Sequence, residues 1–130
     1  MDILSKEFKE QVKEELKLRD LESNNLTNIS FQHQYLQYYI EHKHLLLKLD
    51  TMRDNVYKEL YEHYRFNYNI DLSTKELELY IRADEKFKKI NETVKKKELE
   101  VEYLESIVKL FGNRNFSIKN ALEFQKLKGV

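Results

Sequence analysis

The 130-residue chain has no cysteine, no proline and no tryptophan, and its only glycines are Gly112 and Gly129. Without cysteine there can be neither a disulfide framework nor a thiolate metal site. Average usage would place about six prolines in a chain this long, and their absence leaves little to interrupt long helices. No apolar run approaches the roughly 18 residues that a membrane helix needs, and the start MDILSKEFKEQ lacks the basic beginning and apolar stretch of a signal peptide. No glycine-rich phosphate loop or nucleophile elbow is present. His33, His42, His44 and His63 lack metal-ligand spacing, because positions 42 and 44 point to different sides of a helix. These absences predict a cytoplasmic, non-enzymatic protein with no cofactor, no metal and no membrane partner.

Present instead is charge, at 35% of residues, with 23 Lys and Arg balanced by 23 Asp and Glu. Nine tyrosines and seven phenylalanines supply enough apolar area for a real core, so disorder is not expected. An apolar repeat at alternating intervals of three and four runs through Tyr80, Ala83, Phe87, Ile90, Val94, Lys97, Val101, Leu104, Val108 and Phe111. Only Lys97 departs from it. Such a repeat describes a helix whose narrow apolar seam faces another helix.

Four helices are predicted. The first, about 3–15, is amphipathic through Ile3, Leu4, Phe8 and Val12, and a brief extended link follows Leu16. Helix two starts near Asp20, a good N-cap, and runs to about Tyr68, with a seam through Tyr35, Tyr39, His42, Leu46, Leu49, Met52 and Val56. Asn, Asp and Ser cluster across 67–74, where Ser73 and Glu76 form a capping box for helix three. Helix three is expected to end at Gly112, placed as a left-handed C-cap just past Phe111. A last helix, about 117–127, carries Ile118, Ala121, Leu122 and Gln125 on one face and Phe124 and Leu127 on another. The fold class is therefore all-α: two long antiparallel helices with a short N-terminal and a short C-terminal helix. Helix three, at about 38 residues and 1.5 Å each, would be about 57 Å long, against about 14 Å for the radius of gyration of a compact globule this size. An elongated domain over 1–112 and an oligomerisation helix over 113–130 follow, with self-association covering the apolar surface left over.

Charge is unevenly placed. Lys75, Arg82, Lys89 and Lys96 recur every seven residues, flanked by Lys86, Lys88 and Lys95, and on one continuous helix they would form a basic stripe with cations about 10 Å apart. A phosphate backbone suits such a stripe, because counterion release needs no base reading. Pairing with interspersed Glu explains any single one of these cations equally well. Helix two adds Lys43, Lys48, Arg53, Lys58 and Arg65 beside tyrosines at 57, 61, 64 and 68. Aromatics at helical spacing are more often core, but tyrosine next to lysine and arginine is also how single-stranded nucleic acid is held. One stripe could do both along its length. A scaffolding or chaperone coiled coil that binds only protein accounts for the seams as well, though not for the regular cations.

The chain resembles the UvsY recombination mediators of T-even-type phages. The likeness is clearest where Ala83-Asp84 begins a long helix and where Arg114, Phe116, Ile118 and Lys119 form an R-x-F-x-I-K signature. Leu21, Asn28, Leu36, Lys43, Lys58 and Tyr64 fit the family pattern at the same spacing, and Lys48 and Arg53 keep its basic character. The resemblance implies a homo-oligomeric ring, hexamer or heptamer, in the infected bacterial host. It would bind single-stranded DNA and help a phage recombinase displace single-strand binding protein. Of the two basic residues in the family's DNA-binding motif, only the first is present, as Lys58; the second position is Leu60. That shifts weight onto Arg53, Arg65 and the stripe of Lys75, Arg82, Lys89 and Lys96, beside the candidate platform of Tyr57, Tyr61 and Tyr64. The family's C-terminal segment is tied to oligomerisation, which here implicates Phe116, Ile118, Leu122, Phe124 and Leu127.

Overall fold

The computed structural model describes residues 2–16, 21–67 and 71–127. These form α1 (Lys6–Glu15), α2 (Leu21–Phe66), α3 (Thr74–Ala83) and α4 (Glu85–Leu127). Among the described residues there is no strand, so the all-α class with two long helices stands. The expected Asp20 cap, the link after Leu16 and Tyr68 lie outside the described residues.

The helix starts follow from capping. Ser5 accepts from the Phe8 backbone N–H at 3.2 Å, and Ser73 accepts from that of Glu76 at 3.2 Å. Each satisfies a donor that the first turn leaves unpaired.

Two expected features are corrected. The long third helix is divided at Asp84, whose backbone is extended (φ −68°, ψ 133°). Asp84 closes α3 by donating its N–H to the Ile81 carbonyl at 3.1 Å, and it opens α4 by accepting from the Lys86 N–H at 2.8 Å. The break resets the apolar phase: Leu77 and Ile81 are buried, whereas Tyr80 and Ala83, counted in the seam, are exposed. From Phe87 to Phe111 the seam is buried or half-buried as expected.

The second correction concerns Gly112, which does not end a helix. Instead α4 continues to Leu127, so the described residues hold no separate C-terminal helix. A Cβ at 112 would lie 3.0 Å from Nε2 of Gln32, and one turn earlier on α2 the Asn28 amide donates to the Phe111 carbonyl at 2.9 Å. A side chain at 112 would therefore need only the flexible end of Gln32 to give way by a few tenths of an ångström.

On α2 the seam follows the expected residues except at one step. Met52 is 53% exposed, and half-buried Arg53 takes its place, keeping the 4-3 spacing through 46, 49, 53, 56 and 60.

The chain packs as two units, Met1–His42 with Glu100–Val130 and Lys43–Leu99. In each, α2 and α4 run antiparallel, since later residues of one meet earlier residues of the other. The first unit buries Ile3, Phe8, Val12, Tyr35, Leu104, Ile107 and Phe111. Tyr35 stacks on Phe111 at 5.4 Å and meets Phe8 edge-on at 5.9 Å. Its hydroxyl donates to the Glu15 carboxylate, and burial, then that bond, push its pKa far above the ordinary range. Fully burying each such side chain stabilises the fold by about 1.5–3 kcal/mol. The second unit buries Leu60, Leu77 and Ile81, with Val56, Tyr57, Tyr64, Leu72 and Phe87 around them.

The Asp84 elbow is held by Tyr64, whose hydroxyl donates to Oδ2 at 2.7 Å. This bond is the chief cause of a carboxyl pKa below its usual 3.8. A depressed carboxylate contributes stability that is present above the unfolded-chain pKa and lost as pH falls through the folded one. Tyr64→Phe should therefore cost about 1 kcal/mol at neutral pH. The gap to wild type should shrink when melts are repeated well below pH 3.8; an equal gap at both pH values would show that the ionised carboxylate is not what the hydroxyl stabilises.

Candidate nucleic-acid interface

All twelve residues expected to contact nucleic acid lie in the Lys43–Leu99 unit, but they divide between surface and core. Lys58, Tyr61 and Arg65 stand at i, i+3 and i+7 on α2, which places them on one face, and all three are exposed. Lys43, five turns before Tyr61, shares that side and is also exposed, whereas Lys48 is exposed on the side of α2 away from the seam. Arg65 reaches the Leu72 carbonyl at 3.5 Å, a long contact that leaves most of its donors to solvent.

Tyr57 and Tyr64 turn inward. Tyr57 meets Phe87 edge-on at 6.1 Å, and Tyr64 lies 5.7 Å from Tyr80 while holding Asp84. Of the expected tyrosine platform, Tyr61 is the exposed member among the described residues. Arg53 is half-buried, donating to Asn91 Oδ1 at 3.0 Å and to Asp50 at 3.2 Å. Leu60, at the family's second basic position, is 7% exposed and packs on Leu77 and Ile81. In this chain that position belongs to the core because α3 covers it.

The seven-residue stripe is also redistributed. Lys75 and Arg82 stand on α3 and Lys89 and Lys96 on α4, all exposed, but the elbow between them means that no single helical face carries the four. Lys75 and Arg82 share a groove of about 250 Å³ with Glu78 and Leu79. Arg82 then joins Phe87, Lys88, Asn91 and Lys95 around a groove of about 440 Å³. Lys88, Asn91 and Lys95 form an i, i+3, i+7 set on α4. By spacing alone Lys88 and Lys95 stand only as flanks of the stripe, and nothing marks Asn91; the phase reset by an aspartate N-cap is the signal that could have found them.

Nearby ion pairs are superficial. Lys86 meets Glu59 at 3.2 Å and Lys88 meets Glu85 at 4.0 Å, all four exposed; such pairs contribute about 0–1 kcal/mol and leave the cations available. In the other unit, His42 lies 3.6 Å from buried Glu100, an ordinary packed histidine contact. No group of three or more His, Cys, Asp or Glu able to hold a metal occurs among the described residues. No helix among them is long and apolar enough to cross a membrane.

Of the expected assembly residues, Ile118 is 3% exposed, buried in the single chain, and Leu122 is half-buried. Phe116, Phe124 and Leu127 are 66%, 57% and 87% exposed. Burial lowers the pKa of Arg114, the first residue of the R-x-F-x-I-K signature.

Long paired helices with a cationic, tyrosine-bearing face define an all-helical binding protein. More narrowly, the chain belongs to the UvsY family, described as recombination, repair and ssDNA binding proteins, whose profile matches residues 8–129. The fold is similar to crystal structures of the bacteriophage T4 recombination mediator protein UvsY. In one lattice the TM-score is 0.82 at 15% identity, covering 98% of this chain and 99% of that one. A second lattice gives 0.82 at 14%, covering 95% and 96%, and a third 0.81 at 14%, covering 95% and 99%. No curated protein sequence matches the chain.

Proposed function

We propose that this protein acts as a ring-forming mediator that holds single-stranded DNA on its Lys43–Leu99 unit and loads a phage recombinase onto DNA covered by single-strand binding protein. The observation that carries this reading is the exposed Lys58, Tyr61 and Arg65 face, which offers cations to phosphates and a ring to a base. Lys43, Lys48, Lys75, Arg82, Lys89 and Lys96 add phosphate contacts around it. Tyr57 and Tyr64 act through packing. Residues 113–130 supply the contacts between copies, through Phe116, Phe124 and Leu127. The protein performs no chemistry in this scheme, and its work is done by binding in the cytoplasm of the infected host.

Binding to labelled oligo-dT should be steeply salt-dependent, each neutralised phosphate on a single strand contributing about −0.7 to the slope of log K against log salt. Lys58→Ala with Arg65→Ala should flatten that slope by about 1.4. Tyr61→Ala should weaken binding by about 1–3 kcal/mol while leaving the slope as it is. A slope untouched by the double substitution would move the contact away from this face.

A further inference from the structure

We propose that the groove at the α3–α4 elbow is a phosphate cradle for the same single strand, and that Arg53 positions one of its donors. This rests on the reading of the chain as binding single-stranded DNA and adds a second contact to the α2 face. The groove is lined by Arg82, Phe87, Lys88, Asn91 and Lys95. Every polar side chain on that lining is a donor. Arg82 and Lys95 make no ion pair with any described residue, and the 4.0 Å approach of Glu85 to Lys88 is an exposed pair that a phosphate can replace.

Asn91 completes the set. An asparagine offers one acceptor oxygen and two N–H donors. Arg53 Nη1 donates to Asn91 Oδ1 at 3.0 Å, so the oxygen is engaged by α2, and the amide N–H groups, which donate to no described residue, are left for a ligand in the groove that Asn91 lines. Arg53 is itself held by Asp50 at 3.2 Å, which fixes the direction of the fork. A lining of three cations and an amide donor matches a ligand that has only acceptors and carries negative charge. Lys88 and Lys95 are two turns apart, about 10 Å along the axis, so they meet anions repeated along a chain better than a single ion. The Phe87 ring supplies an apolar wall for a sugar or base. A phosphodiester strand has all of these features.

The groove also explains why the seven-residue stripe is not the unit of recognition. Because Asp84 interrupts the helix, Arg82 is followed on the same groove by 88 and 95 rather than by 89 and 96.

The test uses the full chain with labelled oligo-dT across a salt series. Lys88→Ala with Lys95→Ala should flatten the slope by about 1.4. Asn91→Asp keeps the acceptor for Arg53, now as an ion pair, but turns the amide into a negative charge facing the strand. Its affinity should fall about fivefold, the effect of one unit charge at about 4 Å in water, with the melting temperature not lowered. Arg53→Ala should weaken binding with the slope unchanged, because a positioning residue neutralises no phosphate. If the groove variants bind like wild type while Lys58→Ala with Arg65→Ala does not, the cradle is overturned and the DNA reading stands. If wild type fails to bind oligo-dT at low salt, that reading falls and the cradle with it. A slope flattened by Arg53→Ala would overturn the positioning role.

Discussion

Replacing Phe111 by alanine should lower the unfolding free energy by about 3–5 kcal/mol, a large part of the roughly 5–15 kcal/mol that keeps a typical domain folded. Phe111 is fully buried. Its ring stacks on Tyr35 at 5.4 Å and lies 5.9 Å from Phe31, so truncation leaves a void bounded by rigid rings that cannot collapse into it. The backbone at this site is also held, since the Phe111 carbonyl accepts from buried Asn28 at 2.9 Å. That leaves little freedom to relax. Phe66, 75% exposed at the end of α2, is the control of equal chemistry; its replacement should change stability by less than about 0.5 kcal/mol. Calorimetry at one fixed protein concentration reads both, since assembly makes melting concentration-dependent. Similar costs for the two would mean that Phe111 is not part of a close-packed core.

What was legible in the sequence was periodicity. The seams from Tyr35 to Val56 and from Tyr80 to Phe111 predict two long antiparallel helices because each repeats an interval that only a helix partner explains, and the second is buried or half-buried from Phe87 onward. Punctuation was harder to read. Around Asp84 apolar residues occupy both available phases, Leu77 and Ile81 in one and Tyr80 and Ala83 in the other, so the pattern alone cannot show that the helix breaks. Only the competing bonds of Asp84 decide it. Gly112 was equally ambiguous, since a glycine after an apolar residue can end a helix or lie within one, and here α4 runs through it to Leu127.

The candidate interface shows the same division. Exposed Lys58, Tyr61 and Arg65 follow from spacing on one helix. The inward turn of Tyr57 and Tyr64 follows from where α3 lies, which no local pattern carries. Leu60 makes the point most directly: a position expected to be cationic from the family motif is apolar because it meets Leu77 and Ile81. A cation there would be buried without a partner, at a cost that the fold avoids by placing its charges on Lys58 and the elbow instead.

Substituting Phe116, Phe124 and Leu127 together by serine should abolish both assembly and recombinase loading while leaving the helices intact. These three side chains are the exposed large apolar residues at the end of α4, and exposed apolar surface grouped on one segment marks a contact site. Deleting residues 113–130 is a blunter test, because it also removes Ile118, which is packed to 3% exposure in the single chain. The triple variant keeps that packing, so sedimentation should report a monomer or dimer with unchanged helicity. The consequence for loading follows from multivalency. The proposed ring would repeat each DNA contact, so binding at one protomer would raise the effective concentration of the same strand at the next far above that of free DNA. A strand held at several points is displaced from single-strand binding protein only if the ring favours the uncovered state, since a ligand shifts an equilibrium through differential affinity alone. The lag in recombinase ATPase on covered DNA measures this. Wild type should shorten the lag and the triple variant should not. A variant that no longer assembles yet shortens the lag equally well would remove multivalent capture from the mechanism and leave single-protomer contacts to explain loading.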